Sequence, residues 1–248
     1  TGYSEGSSLP APARFAGRLL AGPLRQWDRR TAARPDVLVA NSNAVRERIR
    51  RFWDRPAQVI YPPVDIAEFP LSTRDDGFLL VAARLLRHRR IDLAVDAART
   101  LGRPLVICGD GPERRALEHR AGPDVRFEGH VPRARLVELV RTCRAYLVPG
   151  EEDFGIAPVE AMAAGKPVVA LARGGAAESV TDGVSGALYA TLSADALAAA
   201  IKRLDDMALD PAEIRAGAQR FDRSAFRACW RALFNRLDVD PAFYAAAD

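Results

Sequence analysis

An α/β fold is what this sequence predicts, with a parallel sheet covered by helices on both faces. The main observation is an alternation. From residue 78 onward, short apolar runs are separated by longer segments of helical spacing, the pattern of consecutive β-α-β units. A second observation is that 48% of the 248 residues are hydrophobic, ample for a buried core. A third is negative. There is no internal repeat of fixed period and no charge-free apolar stretch of about 18 residues, so solenoids and transmembrane helices are not expected.

The elements follow in chain order. The first ten residues are small and polar and read as poorly ordered. Phe15, Leu19, Leu20, Leu24 and Trp27 recur at roughly helical spacing within residues 11–33. Val37-Leu38-Val39-Ala40 reads as a short buried strand, Asn41-Ser42-Asn43 offers helix N-caps, and a charged helix covers residues 43–53. Val59-Ile60-Tyr61 is another strand, stopped by Pro62-Pro63, and the polar residues 72–76 read as a linker. Strands are then expected near residues 78–82, 104–108, 125–127, 145–148, 167–171 and 186–189. Helices are expected between them, near 90–100, 112–120, 133–142, 157–164 and 175–181, and three more close the chain near 193–207, 211–219 and 223–237. An open sheet of this kind binds ligands at the carboxyl ends of its strands.

Composition narrows the function classes. The 36 basic and 32 acidic side chains leave a net charge of +4, which suits an anionic ligand or an acidic membrane surface. No stripe of interleaved aromatic and basic residues appears, so nucleic acid is not an expected partner. Cys108, Cys143 and Cys229 are odd in number and far apart. They form neither a disulfide framework nor a zinc pattern and point to a reducing, cytoplasmic compartment. His88, His119 and His130 are scattered singles, and no metal site is evident. The chain opens at Thr1 without a basic-then-apolar signal segment, which reads as a start inside a longer polypeptide.

The most informative stretch runs from Pro149 through Glu151-Glu152-Asp153-Phe154-Gly155-Ile156-Ala157-Pro158-Val159-Glu160-Ala161 to Gly165-Lys166-Pro167. It reads as strand end, acidic loop, short helix, glycine stop and next strand. Pro158 is tolerated in a first helical turn and Gly165 fits the C-terminal cap. If wholly helical, eight residues separate Glu152 from Glu160 by at most about 12 Å. Two carboxylates can then sit at opposite ends of an extended polar ligand, with Glu160 expected in the helix's first turn, where the macrodipole favours it. Gly174-Gly175 is expected to offer backbone N–H groups to a phosphate at a helix start, with an ordinary tight turn as the alternative. Gly109-Asp110-Gly111 is either a second close approach to the ligand or only a sharp strand-to-helix turn. It lacks the third glycine of a dinucleotide fingerprint, since Arg114 occupies that place, which argues against an oxidoreductase.

The two glutamates with seven residues between them, in the setting Glu152-Asp153-Phe154-Gly155 to Glu160-Ala161, resemble glycosyltransferase family 4, and the likeness extends along nearly the whole chain. Trp27-Asp28-Arg29, Val39-Ala40-Asn41-Ser42 and Tyr61-Pro62-Pro63-Val64-Asp65 resemble the late part of that family's N-terminal domain. Arg84-Leu85 through Ile91-Asp92, Ile107 through Pro112 and Gly174-Gly175-Ala176-Ala177-Glu178-Ser179-Val180 resemble its donor-domain turns. The resemblance implies a GT-B fold with two Rossmann-like domains facing across a cleft. It implies a tail of the N-terminal, acceptor domain over 1–72, a complete donor domain over 73–222, and a helix over 223–248 that crosses back, with Phe226, Trp230, Leu233 and Phe234 packing on the first domain. The family's activity is transfer of a hexose from a nucleotide sugar with retention at the anomeric carbon.

The resemblance also implies roles. Arg84 and Arg89 would stabilise the departing diphosphate, with arginine at the second position where the family commonly has lysine. Glu152, rather than its neighbour Glu151, would hold the hexose beside the anomeric carbon and favour a cationic transition state. Glu160 would accept hydrogen bonds from the ribose. Phe154 either packs against the sugar, the favoured reading, or only anchors the loop, with Gly155 and Ile156 completing the donor site at the helix start. His130 and Val131 are candidates for contact with the base. Within the family the motifs look closest to the mannosyltransferases that use GDP-mannose, without a catalytic metal, acting on a glycan or lipid-linked acceptor, with peripheral contact at the inner face of the membrane. With most of the acceptor domain absent, donor binding without transfer is expected, and a nucleotide-sugar-binding module without transferase activity is the alternative.

Overall fold

The computed structural model describes residues 11–238. The polar opening decapeptide and the C-terminal tail therefore lie outside the described residues, as do the side chains of Phe15, Leu19 and Leu20. The first helix, α1 (Ala11–Ala32), precedes a two-residue strand, β1 (Val39–Ala40). Ser42 caps helix α2 (Asn43–Trp53) by accepting from Val45 N–H, and β2 (Gln58–Val59) then pairs parallel to β1. The Asp28-Arg29 pair joins the two helices. Trp53 Nε1 donates to Asp28 at 2.7 Å and Arg29 Nε donates to the Phe52 carbonyl at 2.9 Å.

The rest of the chain alternates as the apolar runs predict. The order is β3 (Leu79–Ala82), α3 (Ile91–Leu101), β4 (Leu105–Cys108), α4 (Arg114–Arg120), β5 (Val125–Gly129), α5 (Arg133–Thr142), β6 (Ala145–Val148), α6 (Ile156–Ala163), β7 (Val168–Leu171), α7 (Ala176–Ser179) and β8 (Gly186–Tyr189). Helices α8 (Ala194–Asp205), α9 (Pro211–Ala218) and α10 (Arg223–Arg236) follow. All six strands pair in parallel, in the order β5-β4-β3-β6-β7-β8. Relative to the first strand of this sheet, that is the doubly wound order of a Rossmann-like fold, and it places the reversal of winding between β3 and β6.

Successive strand side chains point to opposite faces, and the burial pattern obeys this. Leu80, Val106, Tyr146, Val148, Val168 and Ala170 lie in one apolar cluster, while Leu79, Val81, Leu105, Ile107, Leu147 and Val169 lie in the other. Each fully buried Leu, Ile or Val contributes about 1.5–3 kcal/mol relative to exposure, which explains why four-residue strands suffice. Cys108 and Cys143 are buried in the first cluster, and burial pushes their thiols up to about 11 and about 12. Cys229 is exposed.

Three expectations need correction. Residues 72–76 are not a free linker: Ser72 N–H and Asp76 N–H donate to the Ala164 and Thr142 carbonyls, and the buried Lys166 ammonium donates to the Arg74 carbonyl. The segment near 175–181 is a single turn, because Thr181 leaves the helix to bond Ser185 Oγ at 2.8 Å. Glu160 lies in the second turn of α6, since the left-handed Gly155 starts the helix only one residue before Ile156.

Helix α10 runs back to the first segment of the chain. Arg223 pairs with Asp65 at 3.1 Å, Val64 N–H donates to the Phe221 carbonyl at 2.8 Å, and Arg236 donates to Gln58. Phe226, Trp230 and Phe234 stack in succession along the helix.

Candidate functional site

The carboxyl ends of β3 and β6 flank the point where the winding reverses, and a cleft of about 410 Å³ opens there. Its walls come from three segments: Ala82, Ala83, His88 and Arg89 after β3, the acidic loop and first turn of α6 after β6, and Asn41 with Pro62 from the two-stranded unit. A second hollow of about 360 Å³ shares Ala82 and Ala83 with the first and runs past Arg84, Gly109, Asp110, His130 and Val131. Together they make one groove along the strand ends, the position in which open α/β sheets bind their ligands. Among the described residues, no group of three or more His, Cys, Asp or Glu could hold a metal ion.

The acidic loop is held in the groove from both sides. Arg89 forms an ion pair with Glu152, and their side chains are 30% and 17% exposed. Arg89 Nε is buried without a partner. A guanidinium presents five donors, so this one holds a carboxylate and keeps donor capacity in reserve inside the cleft. Arg84 is exposed in the neighbouring hollow. Ile156, at the start of α6, is 46% exposed at the cleft wall.

Glu160 is buried and takes a 2.8 Å hydrogen bond from Arg133. The same guanidinium is bidentate to Glu68, with both contacts at 2.7 Å, and lies over the Phe69 ring at 4.7 Å. Bonding to Glu68 and Glu160 holds the Arg133 guanidinium well above the ordinary arginine range, and Arg133 in turn lowers the carboxyl of Glu68. Arg133 had no signal in the sequence. Its partners lie 27 and 65 residues away.

Two expected contacts take a different form. Phe154 lines the cleft, but its ring is not laid open as a sugar platform. It is buried, with Tyr61 at 5.6 Å and Phe221 at 5.3 Å, so it anchors the acidic loop from beneath. Gly174-Gly175 is not an open phosphate cradle either. Gly175 N–H donates to the Glu152 carbonyl at 2.7 Å, and a Cβ on Gly174 or Gly175 would come within 2.4 Å of Glu152 O or 2.2 Å of Phe154 Cα. The pair is glycine because the acidic loop lies directly against it. Gly109 and Gly111 have the same logic, since a Cβ there would meet the carbonyls of Ala83 and Leu85 at 2.0 and 2.4 Å. That contact supports the sharp-turn reading: these glycines let the β4 turn pack on the β3 turn.

Another unforeseen group is Glu178. Its carboxylate accepts from Asn43 N–H, Asn43 Nδ2, Ala44 N–H and Tyr61 OH at 2.8–3.0 Å. Burial and the Glu178 carboxylate together push the Tyr61 phenol up.

Comparison with known proteins extends this geometry. The family model for glycosyl transferases group 1 matches residues 65–220. Glycogen synthase of Mycobacterium tuberculosis is 33% identical over 178 residues, covering 65% of this chain and 43% of the relative. A D-inositol 3-phosphate glycosyltransferase of Catenulispora acidiphila is 32% identical, covering 86% of this chain and 57% of the relative. The chain thus spans about half the length of the curated relatives it matches. Among solved structures, Anabaena Alr3699/HepE in complex with UDP-glucose superposes with a TM-score of 0.71 at 24% identity, over 81% of this chain and 64% of that one. Sucrose-phosphate synthase of Thermosynechococcus elongatus superposes with a TM-score of 0.73 at 24% identity, over 86% and 61%. At such identities these structures speak for the fold.

Proposed function

This chain belongs to the glycosyl transferases of group 1, and from that premise we propose that its groove binds a nucleoside diphosphate sugar and serves transfer of the hexose to a glycan or lipid-linked acceptor, with retention at the anomeric carbon. The observation that carries the reading is the Arg89–Glu152 pair at the strand-end cleft, with Arg89 Nε unsatisfied. Breaking the glycosidic bond leaves negative charge on the diphosphate and positive charge on the sugar. Arg89 and Arg84 suit the first, since guanidinium forks match phosphate oxygens. Glu152 suits the second, by holding sugar hydroxyls and favouring an oxocarbenium-like transition state. Glu160 would take the ribose hydroxyls, and His130 and Val131 would contact the base. No catalytic metal enters the proposal.

The motifs favour GDP-mannose as donor. A uridine nucleotide is the second reading, favoured by the neighbour solved with UDP-glucose. No helix among the described residues is long and apolar enough to cross a membrane. The proposed setting is the cytoplasm, with peripheral contact at the inner membrane face where the acceptor is lipid-linked.

Calorimetric titration with GDP, UDP, ADP and NAD, repeated on Glu160→Gln, tests this. Selective GDP binding, weakened about tenfold in the variant by loss of charged hydrogen bonds, is the expected result. Selective UDP binding keeps the transferase and replaces the donor. NAD binding, or no nucleotide binding by the folded chain, overturns the reading.

A further inference from the structure

The carboxylate of Glu178 lies at the seam between the two-stranded unit and the six-stranded sheet. Its four hydrogen bonds all cross that seam, to residues 117 to 135 positions earlier in the chain. Two of the donors are the first two backbone N–H groups of α2, the orphans that every helix start must satisfy. The third is already satisfied locally, by Ser42 Oγ. The first two are therefore held by a distant, half-buried charge instead of by water. A carboxylate also suits the positive end of the α2 dipole.

Glu178 sits three residues beyond Gly175, whose N–H holds the Glu152 carbonyl. The same two elements meet the acidic loop a second and a third time. Arg48 of α2 pairs with Asp153, and the Tyr61 ring packs on Phe154 while its hydroxyl donates to Glu178. Two contacts of different chemistry thus join the acidic loop directly to the neighbouring unit, and Glu178 with Gly175 adds an indirect third route. A cap for α2 alone needs neither Arg48 nor Tyr61.

We propose that Glu178 is a positioning residue for Glu152. By docking the α2 N-terminus and Tyr61, it holds the Gly174-Gly175 turn against the acidic loop and so sets where the Glu152 carboxylate stands in the groove. The link to ligand binding rests on the donor reading given above, whereas the mechanical coupling does not.

Glu178→Gln tests it. Glutamine keeps the shape but places an NH₂ among donors, and removes the charge. Loss of charged hydrogen bonds of this kind is worth roughly tenfold in a local equilibrium. Amide hydrogen exchange is read at Asn43 and Ala44, which bond Glu178 directly, and at Gly175, which bonds only Glu152. Faster exchange by about tenfold at all three supports the coupling. The double variant Asn43→Asp with Glu178→Gln returns a carboxylate to the seam, bonded by the side-chain amide of the introduced glutamine, and should restore the Gly175 amide. Asp96→Asn, which breaks the pairing with Arg99 and Arg120 on the far helices, controls for general destabilisation. Acceleration confined to Asn43 and Ala44, or equal acceleration at Gly175 in Asp96→Asn, overturns the proposal. Titration of the same variants with GDP-mannose and UDP-glucose reads the functional arm. About tenfold weaker binding in Glu178→Gln, recovered in the double variant, is expected. If the unaltered chain binds neither sugar nucleotide, the donor reading fails, and the Gly175 amide still decides the coupling.

Discussion

Two arginine–glutamate pairs, one at the wall of the groove and one outside its lining, are built differently. Arg133 engages two carboxylates through Nε and Nη2. It holds Glu68 and Glu160 and lies on the Phe69 ring, and all its partners belong to the chain. Arg89 holds only Glu152 as an ion-pair partner, with one nitrogen buried and unpaired. A buried unpaired donor costs free energy that a well-packed fold does not normally leave uncompensated. The contrast teaches where the chain is braced and where it is ready to bond something else. Glu160 is braced by a neighbouring guanidinium, and on the proposed reading Arg89 is the one that would bond a phosphate.

The comparison depends first on the loop that carries Glu152, so removing its anchor should have the largest effect. Phe154→Ala empties a site between Tyr61 and Phe221, and such core truncations cost about 3–5 kcal/mol. Urea unfolding should show that loss, while Phe154→Leu should retain most of the stability and nucleotide affinity near that of the unaltered chain. A large loss of affinity in a stable Phe154→Leu variant would return the ring to the sugar. Next in size is Arg89→Met, which keeps the apolar stem. It should weaken nucleotide binding about 30- to 100-fold, the worth of charge-assisted hydrogen bonds to a phosphate at about 2–3 kcal/mol. Its stability should change little, because the group it leaves behind, Glu152, still reaches water. Unchanged affinity in that variant would make Arg89 a strut like Arg133 and dissolve the contrast.

Much of this was legible in the sequence, and the reason is local. Strand runs such as Leu79–Ala82 and Ala145–Val148 are apolar throughout because both faces are covered. The cap at Ser42 is a short-range signal of the same kind. The two glutamates are readable because their spacing lies within one loop and one helix. What the sequence hides is partnership across distance. Nothing near Arg133 announces Glu160, and nothing near Glu178 announces Asn43. Phe154 shows the same limit in another form. An aromatic residue beside an acidic loop suggests a platform for sugar, yet the ring turns inward because Tyr61 and Phe221 supply a better apolar surface than water does.

The strut itself gives the smaller effects. Arg133→Ala leaves Glu160 buried without its counter-charge and removes the stacking on Phe69. Breaking a fully buried pair costs about 3–5 kcal/mol, but Arg133 is 45% exposed, so screening reduces the expectation to about 1–2 kcal/mol. Nucleotide affinity should fall less than in Arg89→Met. The pH dependence then separates the strut from simple packing. Arg133 lowers the folded-state pKa of Glu68 below its unfolded value. A carboxylate lowered in this way contributes stability that is present above the unfolded pKa and is lost as pH falls through the folded one. In Arg133→Ala the lowering disappears, so that contribution is absent at every pH. The stability gap between the unaltered chain and Arg133→Ala should therefore be widest near neutrality and narrow as the pH falls through the lowered folded-state pKa of Glu68. Unfolding curves for both proteins at neutral pH and along a descending acid series decide it. A gap that stays constant would assign the whole effect to the lost contact with the Phe69 ring, and the Arg133–Glu160 pair would then be a packing feature with its charges along for the ride.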